Sequence, residues 1–352
     1  MEIIANGWMF YVLLLILVLS FRKKERDPDA LIGKECTSEL KGFAILLVLI
    51  GHMTIFWGMF NMPLPVCIGA QAVEIFLFLS GFGLTASFYE KGLEHFIRKR
   101  LSTVYIPFLT VNVIKLPFYL LWFGLPVVWT EVLKNFIGIS ASYDMTMWYV
   151  QFIFICYVLF FIVFSIKKLP AAAKTAIIFV CLTALGILLF VLNNKSLETG
   201  KYFALFEGYS HFLGFPLGIG ACVFLKSKKR KGLPAYVNAI AAVISFLCFY
   251  YLSGYVSVFG LYAAANVFFL VFALNLFLFL RKFGLYSMLL EKLGTISYSV
   301  YLNEMIVISV IAQLTGINTT VKILFILAAS IVLAVLTKWI SDRLVKKVKG
   351  RN

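Results

Sequence analysis

The sequence predicts an all-α protein, a polytopic transmembrane helix bundle of about eleven spans. Three observations predict it. Hydrophobic residues fill 62% of the 352 positions and charged residues only 14%, against about half and about a quarter in a soluble domain. The apolar residues gather into runs near the length that crosses a bilayer. The charges gather between those runs in short basic clusters. With a mean hydropathy of +0.96, a soluble core of this size has no room for so much apolar surface. The 36 phenylalanines and 17 tyrosines suit lipid-facing and interfacial positions.

The first run, 3–20, is followed by RKKER from Arg22 to Arg26. Its length would suit a signal peptide, but its positive charges follow the apolar core and no small-residue cleavage site precedes them. The second run, 42–60, opens after Lys41 and carries His52. The third, 67–89, carries Glu74 and leads to the Arg98–Arg100 cluster. The fourth, 104–124, holds Lys115, and the fifth, 148–165, runs from Trp148 to the pair Lys167 and Lys168. The sixth is 175–192. The seventh, 209–225, has Glu207 and His211 near its outer edge and leads to KSKKRK at Lys226 to Lys231. The eighth and ninth, 233–252 and 258–280, precede Arg281 and Lys282. The tenth, 295–315, carries Glu304, and the eleventh, 321–341, enters a basic tail.

A net charge of +16 read alone would suggest nucleic acid. Its placement argues for no nucleic-acid partner. Of the 32 Lys and Arg residues, 27 fall on alternate loops and flanks, and only Lys134, Lys195, Lys201 and Lys322 fall on the other side, with Lys115 inside a span. This is the positive-inside pattern. It predicts a multi-pass cell-membrane protein with its N-terminus outside and its C-terminus cytoplasmic. Two stretches are then external. Residues 125–147, with Trp129, Tyr143 and Asp144, are expected to be interfacial or partly re-entrant; residues 193–208 are a second candidate for contacting a polar substrate. The six cysteines lack close spacing and read as small packing residues.

Few ionisable residues interrupt the spans: His52, Glu74, Lys115 and Glu304. His52 lies about 16 Å past Lys41 along a helix, near the middle of a bilayer. A charge at such depth is costly unless it faces a protein interior or a wet cavity. The bland account is helix–helix glue, with Lys115 pairing Glu74 or Glu304. Two chemistries use such groups. One is proton-coupled transport. The other is acyl transfer, in which an imidazole takes a proton from a hydroxyl while a carboxylate orients the ring. Basic clusters suit the phosphates of a coenzyme A thioester, although they also arise as topology signals. There is no Walker loop, Rossmann glycine signature or clustered metal-ligand motif, and no metal is expected.

Four segments carry a resemblance: ELKGFAILLVLIGH from Glu39 to His52, VEIFLFLSGFGL from Val73 to Leu84, FIRKRLSTVYIPF from Phe96 to Phe108, and LGTISYSVYLNE from Leu293 to Glu304. In this order the chain resembles the acyltransferase 3 family of integral-membrane acyltransferases, which commonly O-acetylate surface carbohydrates. Lys41 stands where the family often has arginine, and His52 where it has its essential histidine. Two departures stand out. Glu304 occupies a position often held by histidine, and Ser102, Thr103 and Val104 replace a further basic residue before Pro107.

The resemblance implies a ten-helix acyltransferase core over 39–345, an extra N-terminal helix and cytoplasmic loop over 1–38, and a basic tail over 346–352. It implies an O-acyltransferase moving an acetyl group from acetyl-CoA, or another acyl-CoA, to a hydroxyl. The acceptor would be a cell-surface glycan or its lipid-linked saccharide precursor, with membrane lipids around the site. His52 would act as general base or handle an acyl intermediate, with Glu74 or Glu304 as its carboxylate. Lys41, Arg98, Lys99 and Arg100 would contact the cytoplasmic donor, and Tyr298 and Tyr301 would line its path. Gly42 and Gly51 are small enough for close helix approach. Ser80 is not read as a nucleophile, since no nearby motif supplies a base. The competing readings are a proton-coupled transporter or exporter, an inactive partner in polysaccharide export, and acylation of a lipid, antibiotic or peptide.

Overall fold

The computed structural model describes residues 7–24, 33–60, 64–65, 68–199, 204–227 and 232–349. Among them run thirteen α-helices: α1 Gly7–Leu19, α2 Lys34–Trp57, α3 Ile68–Lys91, α4 Phe96–Arg100, α5 Ile106–Trp122, α6 Trp129–Ile137, α7 Trp148–Ser165, α8 Ala171–Thr199, α9 Gly214–Ser227, α10 Ala235–Leu252, α11 Phe259–Lys282, α12 Met288–Ala312 and α13 Thr319–Lys349. Among the described residues nine helical segments are long and apolar enough to span a membrane, and ten if one bent pair counts as a single span. The protein is a polytopic helical bundle.

The spans depart from the sequence expectation in four places. Residues 3–6 and Cys67 lie outside the described residues, and α1 is a shorter apolar helix of 13 residues. The Arg98–Arg100 cluster sits on helix, because α4 joins α5 through a π-helical turn at Leu101–Tyr105. Pro107 follows that turn. Its ring would crowd the carbonyl of Thr103 in an unbroken α-helix, and the widened turn relieves this. The stretch from 193 is helical as far as Thr199, the end of α8. The expected span 209–225 is broken: a 3₁₀ segment, Ala204–Ser210, meets α9 at a 47° bend. Pro216 near the start of α9 lacks an N–H and resists a continuous helix through Phe212.

The chain divides into two compact units. The first comprises residues 1–90, 168–187 and 210–297. Its helices meet at glycines whose missing side chains admit a neighbouring backbone. Gly42 packs on the Leu290 carbonyl, Gly294 on Ser38, Gly51 on Gly69, Gly81 on Phe215, and Gly218 on Phe78. Small residues at crossings are how membrane helices approach closely. Phe249 and Phe269 pack edge to face between α10 and α11, with centroids 5.0 Å apart. Two short strands, β1 Phe21–Lys23 and β2 Leu285–Ser287, pair antiparallel with Phe21 opposite Ser287. Beside them Glu39 Oε1 accepts from the Ser287 N–H at 2.5 Å, and its Oε2 lies 3.6 Å from Arg281. Gly58 ends α2 with φ of 59°, a left-handed conformation open to glycine.

The second unit comprises 91–167, 188–209 and 298–352. Its stretch after α5 holds α6, whose Trp129, Leu133 and Ile137 form an exposed apolar stripe while Val132 and Asn135 are buried. That amphipathic pattern suits a helix lying in a membrane interface. Gly138 ends it against the Phe154 ring.

Candidate active site

His52 is half-buried on α2, its ring centroid 5.7 Å from that of Phe56. α2 and α3 touch at Gly51 and Gly69, where a Cβ added to Gly51 would lie 2.8 Å from Gly69 Cα. His52 is therefore level with the start of α3, and Glu74 is about 8 Å farther along that helix.

That offset corrects one expectation. The carboxylate of Glu74 reaches His211, not His52: Glu74 Oε2 is 2.9 Å from His211 Nδ1, and both side chains are fully buried. His211 occupies the bend before α9. A broken helix at membrane depth is tolerated where protein satisfies its freed backbone groups. Asn266 of α11 does this, donating from Nδ2 to the Ser210 carbonyl at 2.9 Å and lying 3.1 Å from Ser210 Oγ. Gly214 leaves room for the acid, since a Cβ there would fall 2.8 Å from Glu74 Oε1. The result is a polar knot of Glu74, Ser210, His211 and Asn266 within the first unit. Glu74 Oε1 and Asn266 Oδ1 are buried and have no hydrogen-bond partner among the described residues. In the tautomer that donates from Nδ1 to the carboxylate, Nε2 is the acceptor nitrogen of the ring. This is the geometry of a carboxylate-oriented base.

The sequence reading placed His211 at a helix edge and gave Asn266 no role. The signal for both was the string from Gly208 to Pro216, where two glycines and a proline mark a break inside an apolar run.

Lys115 is not glue for Glu74 or Glu304. Its Nζ donates to Asp144 Oδ2 at 2.8 Å and to the Leu302 carbonyl at 3.4 Å, inside the second unit. Asp144 Oδ1 accepts from the Thr146 N–H at 3.0 Å and from Thr146 Oγ1 at 2.5 Å. Burial alone would raise the Asp144 pKa, but Lys115 and Thr146 together hold it below the ordinary carboxylate value. Glu304 is also fully buried and belongs to the second unit, whereas His52 and Glu74 belong to the first.

The expected donor residues divide in the same way. Lys41 is half-buried in the first unit. Arg98 and Lys99 are exposed in the second, and Arg100 stacks over Phe96 and Tyr157, 5.9 and 5.4 Å from the ring centroids. Tyr298 and Tyr301 spend their hydroxyls on backbone: Tyr298 donates to the Val104 carbonyl at 3.2 Å and Tyr301 to that of Thr146. They brace the π-helical turn and the Asp144 segment.

Comparison with known proteins adds one finding. The Acyl_transf_3 family, described as an acyltransferase domain, matches residues 40–339. No curated protein and no solved structure matches the chain. The match covers most of the 352 residues, and the chain belongs to this family; it is a membrane acyltransferase.

Proposed function

We propose that the protein transfers an acetyl group from acetyl-CoA to a hydroxyl of a cell-surface glycan or its lipid-linked precursor. One observation carries the reading: a half-buried imidazole, His52, on a membrane helix that also carries Lys41, within an acyltransferase domain. The basic loops face the cytoplasm in this reading, so the donor enters there. Lys41 supplies a cation for its phosphates. His52 accepts the hydroxyl proton as the oxygen attacks the thioester carbonyl. The carbon–sulfur bond breaks, and the departing thiolate takes up the proton.

A second assignment of the base has a specific observation in its favour. The histidine held by a carboxylate is His211, so His211 would take the proton and His52 would position the acceptor.

The test is reconstitution in proteoliposomes, following acyl groups on the glycan as acetyl-CoA is varied. His52→Ala is expected to lower transfer at least about 100-fold at normal protein abundance. Full activity in well-folded His52→Ala protein, with loss in His211→Ala, moves the base to His211. Substrate flux without thioester consumption would identify a transporter and end the transferase reading. Impermeant labelling of a cysteine introduced at Lys226 in intact cells would overturn the orientation.

A further inference from the structure

Helix α1 is fixed at its two ends and stands clear of the bundle between them. At one end Met9 and Phe10 are buried. At the other, β1 pairs with β2, and the hydroxyls of Ser20 and Ser287 lie 2.6 Å apart. In between, Tyr11, Leu14 and Val18 remain 57%, 45% and 58% exposed. The space beneath is an apolar groove of about 640 Å³, with Leu14 and Leu17 on one wall and Phe43, Leu47, Phe246 and Phe272 on the other.

The two ends of the groove differ. Phe21 lines the end beside the strands, and Arg22, Lys23 and Lys24 follow it directly, all exposed. Arg22 is held there by Nη1 donating to the Leu19 carbonyl at 2.9 Å. Ile50 and Ile68 close the far end, at the depth of His52. Along α11 the lining runs from Phe269 to Leu280, which is about 16 Å of helix. That is one leaflet of a hydrocarbon core about 30 Å thick.

A cavity of this composition does not hold water. We propose that the groove binds one anionic glycerophospholipid from the leaflet on the basic side. An acyl chain lies between α1 and α2, and the phosphate rests against Arg22, Lys23 and Lys24. Charge complementarity places the head at the strands, and the depth of one leaflet fits a phospholipid chain rather than a longer carrier lipid. A zwitterionic lipid offers the same chain but sets a fourth cation beside these three. The bound chain completes the inner face of α1, which the protein alone leaves uncovered. None of this depends on which acyl group or acceptor the enzyme uses.

The test uses the full chain, stripped of lipid by prolonged detergent exchange. Phosphatidylglycerol or phosphatidylcholine is added back, and bound lipids are counted by native mass spectrometry. One phosphatidylglycerol is expected to bind about tenfold more tightly than phosphatidylcholine. Leu14→Trp fills the groove and should lose that lipid while keeping its helical content. The triple variant R22Q/K23Q/K24Q should retain one lipid and lose the head-group preference. Equal binding of the two lipids to the unaltered chain overturns the proposal, as does an unchanged phosphatidylglycerol affinity in Leu14→Trp. A dimer forming in place of the lipid complex overturns it in favour of a second copy. Should Leu14→Trp fail to fold, the surface triple variant decides: an undiminished preference for phosphatidylglycerol rejects the site.

Discussion

Lys115 with Asp144, and Glu74 with His211, are each a buried acid–base pair among apolar helices. Their heavy-atom distances are nearly equal, 2.8 and 2.9 Å. The difference lies in what remains. Both Asp144 oxygens are engaged, one by Lys115 and the other twice by Thr146. At the other pair, Glu74 Oε1 and Asn266 Oδ1 have no hydrogen-bond partner among the described residues. A fully satisfied pair holds the fold and gains nothing from exchanging protons. A pair with spare acceptors, beside a broken helix, keeps capacity for a proton or a donor group. Two pairs of similar composition thus differ in spare hydrogen-bonding capacity, and the inventory of hydrogen bonds tells them apart.

The largest effect should come from breaking the closed pair. Lys115→Met leaves Asp144 buried without its cation, a change that costs about 3–5 kcal/mol in such pairs. Membrane abundance and thermal stability are expected to fall sharply, while transfer per folded molecule stays within a few-fold of normal. Normal stability would remove the structural role. A K115M/D144L double variant should recover much of the loss, because no charge is stranded.

The open pair should respond the other way. Glu74→Gln keeps a hydrogen-bonding group at His211 and removes the charge, so protein level holds while transfer falls at least about tenfold. His211→Ala should match it, and the double variant should be no worse than either single one, since the two act as a unit. Additive losses would mean that they act separately. If both variants transfer normally, the knot only braces the helix break.

Lys41 gives a milder contrast. Lys41→Ala should raise the acetyl-CoA concentration needed for half-maximal rate several-fold and leave acceptor dependence alone, whereas Lys41→Arg retains the cation and most of the function. A defect confined to the acceptor would contradict the assignment.

The smallest effect concerns acid. The Asp144 carboxyl is held below its ordinary value in the folded state, so the unfolded chain binds its proton first as pH falls. The stability it contributes is complete above the unfolded value of about 3.9 and is lost as pH drops through the lowered folded value. Thermal melts should show this decline in the native protein and not in Asp144→Asn. Identical acid profiles would mean that other carboxylates dominate.

Much of this protein was legible as a string. The apolar helices of the bundle follow from residues adjacent in sequence, because the cost of placing a segment in lipid adds residue by residue. The four family segments are equally local. What the string did not disclose is which groups meet. Glu74 finds His211 across 137 positions, Lys115 finds Asp144, and Phe21–Lys23 pairs with Leu285–Ser287. Those meetings depend on how far each helix slides and turns before its backbone locks against another. The contacts of Gly51 on Gly69 and Gly218 on Phe78 set that slide. Hydropathy is blind to rotation about a helix axis, so the sequence could rank the buried charges but only the tertiary structure could pair them.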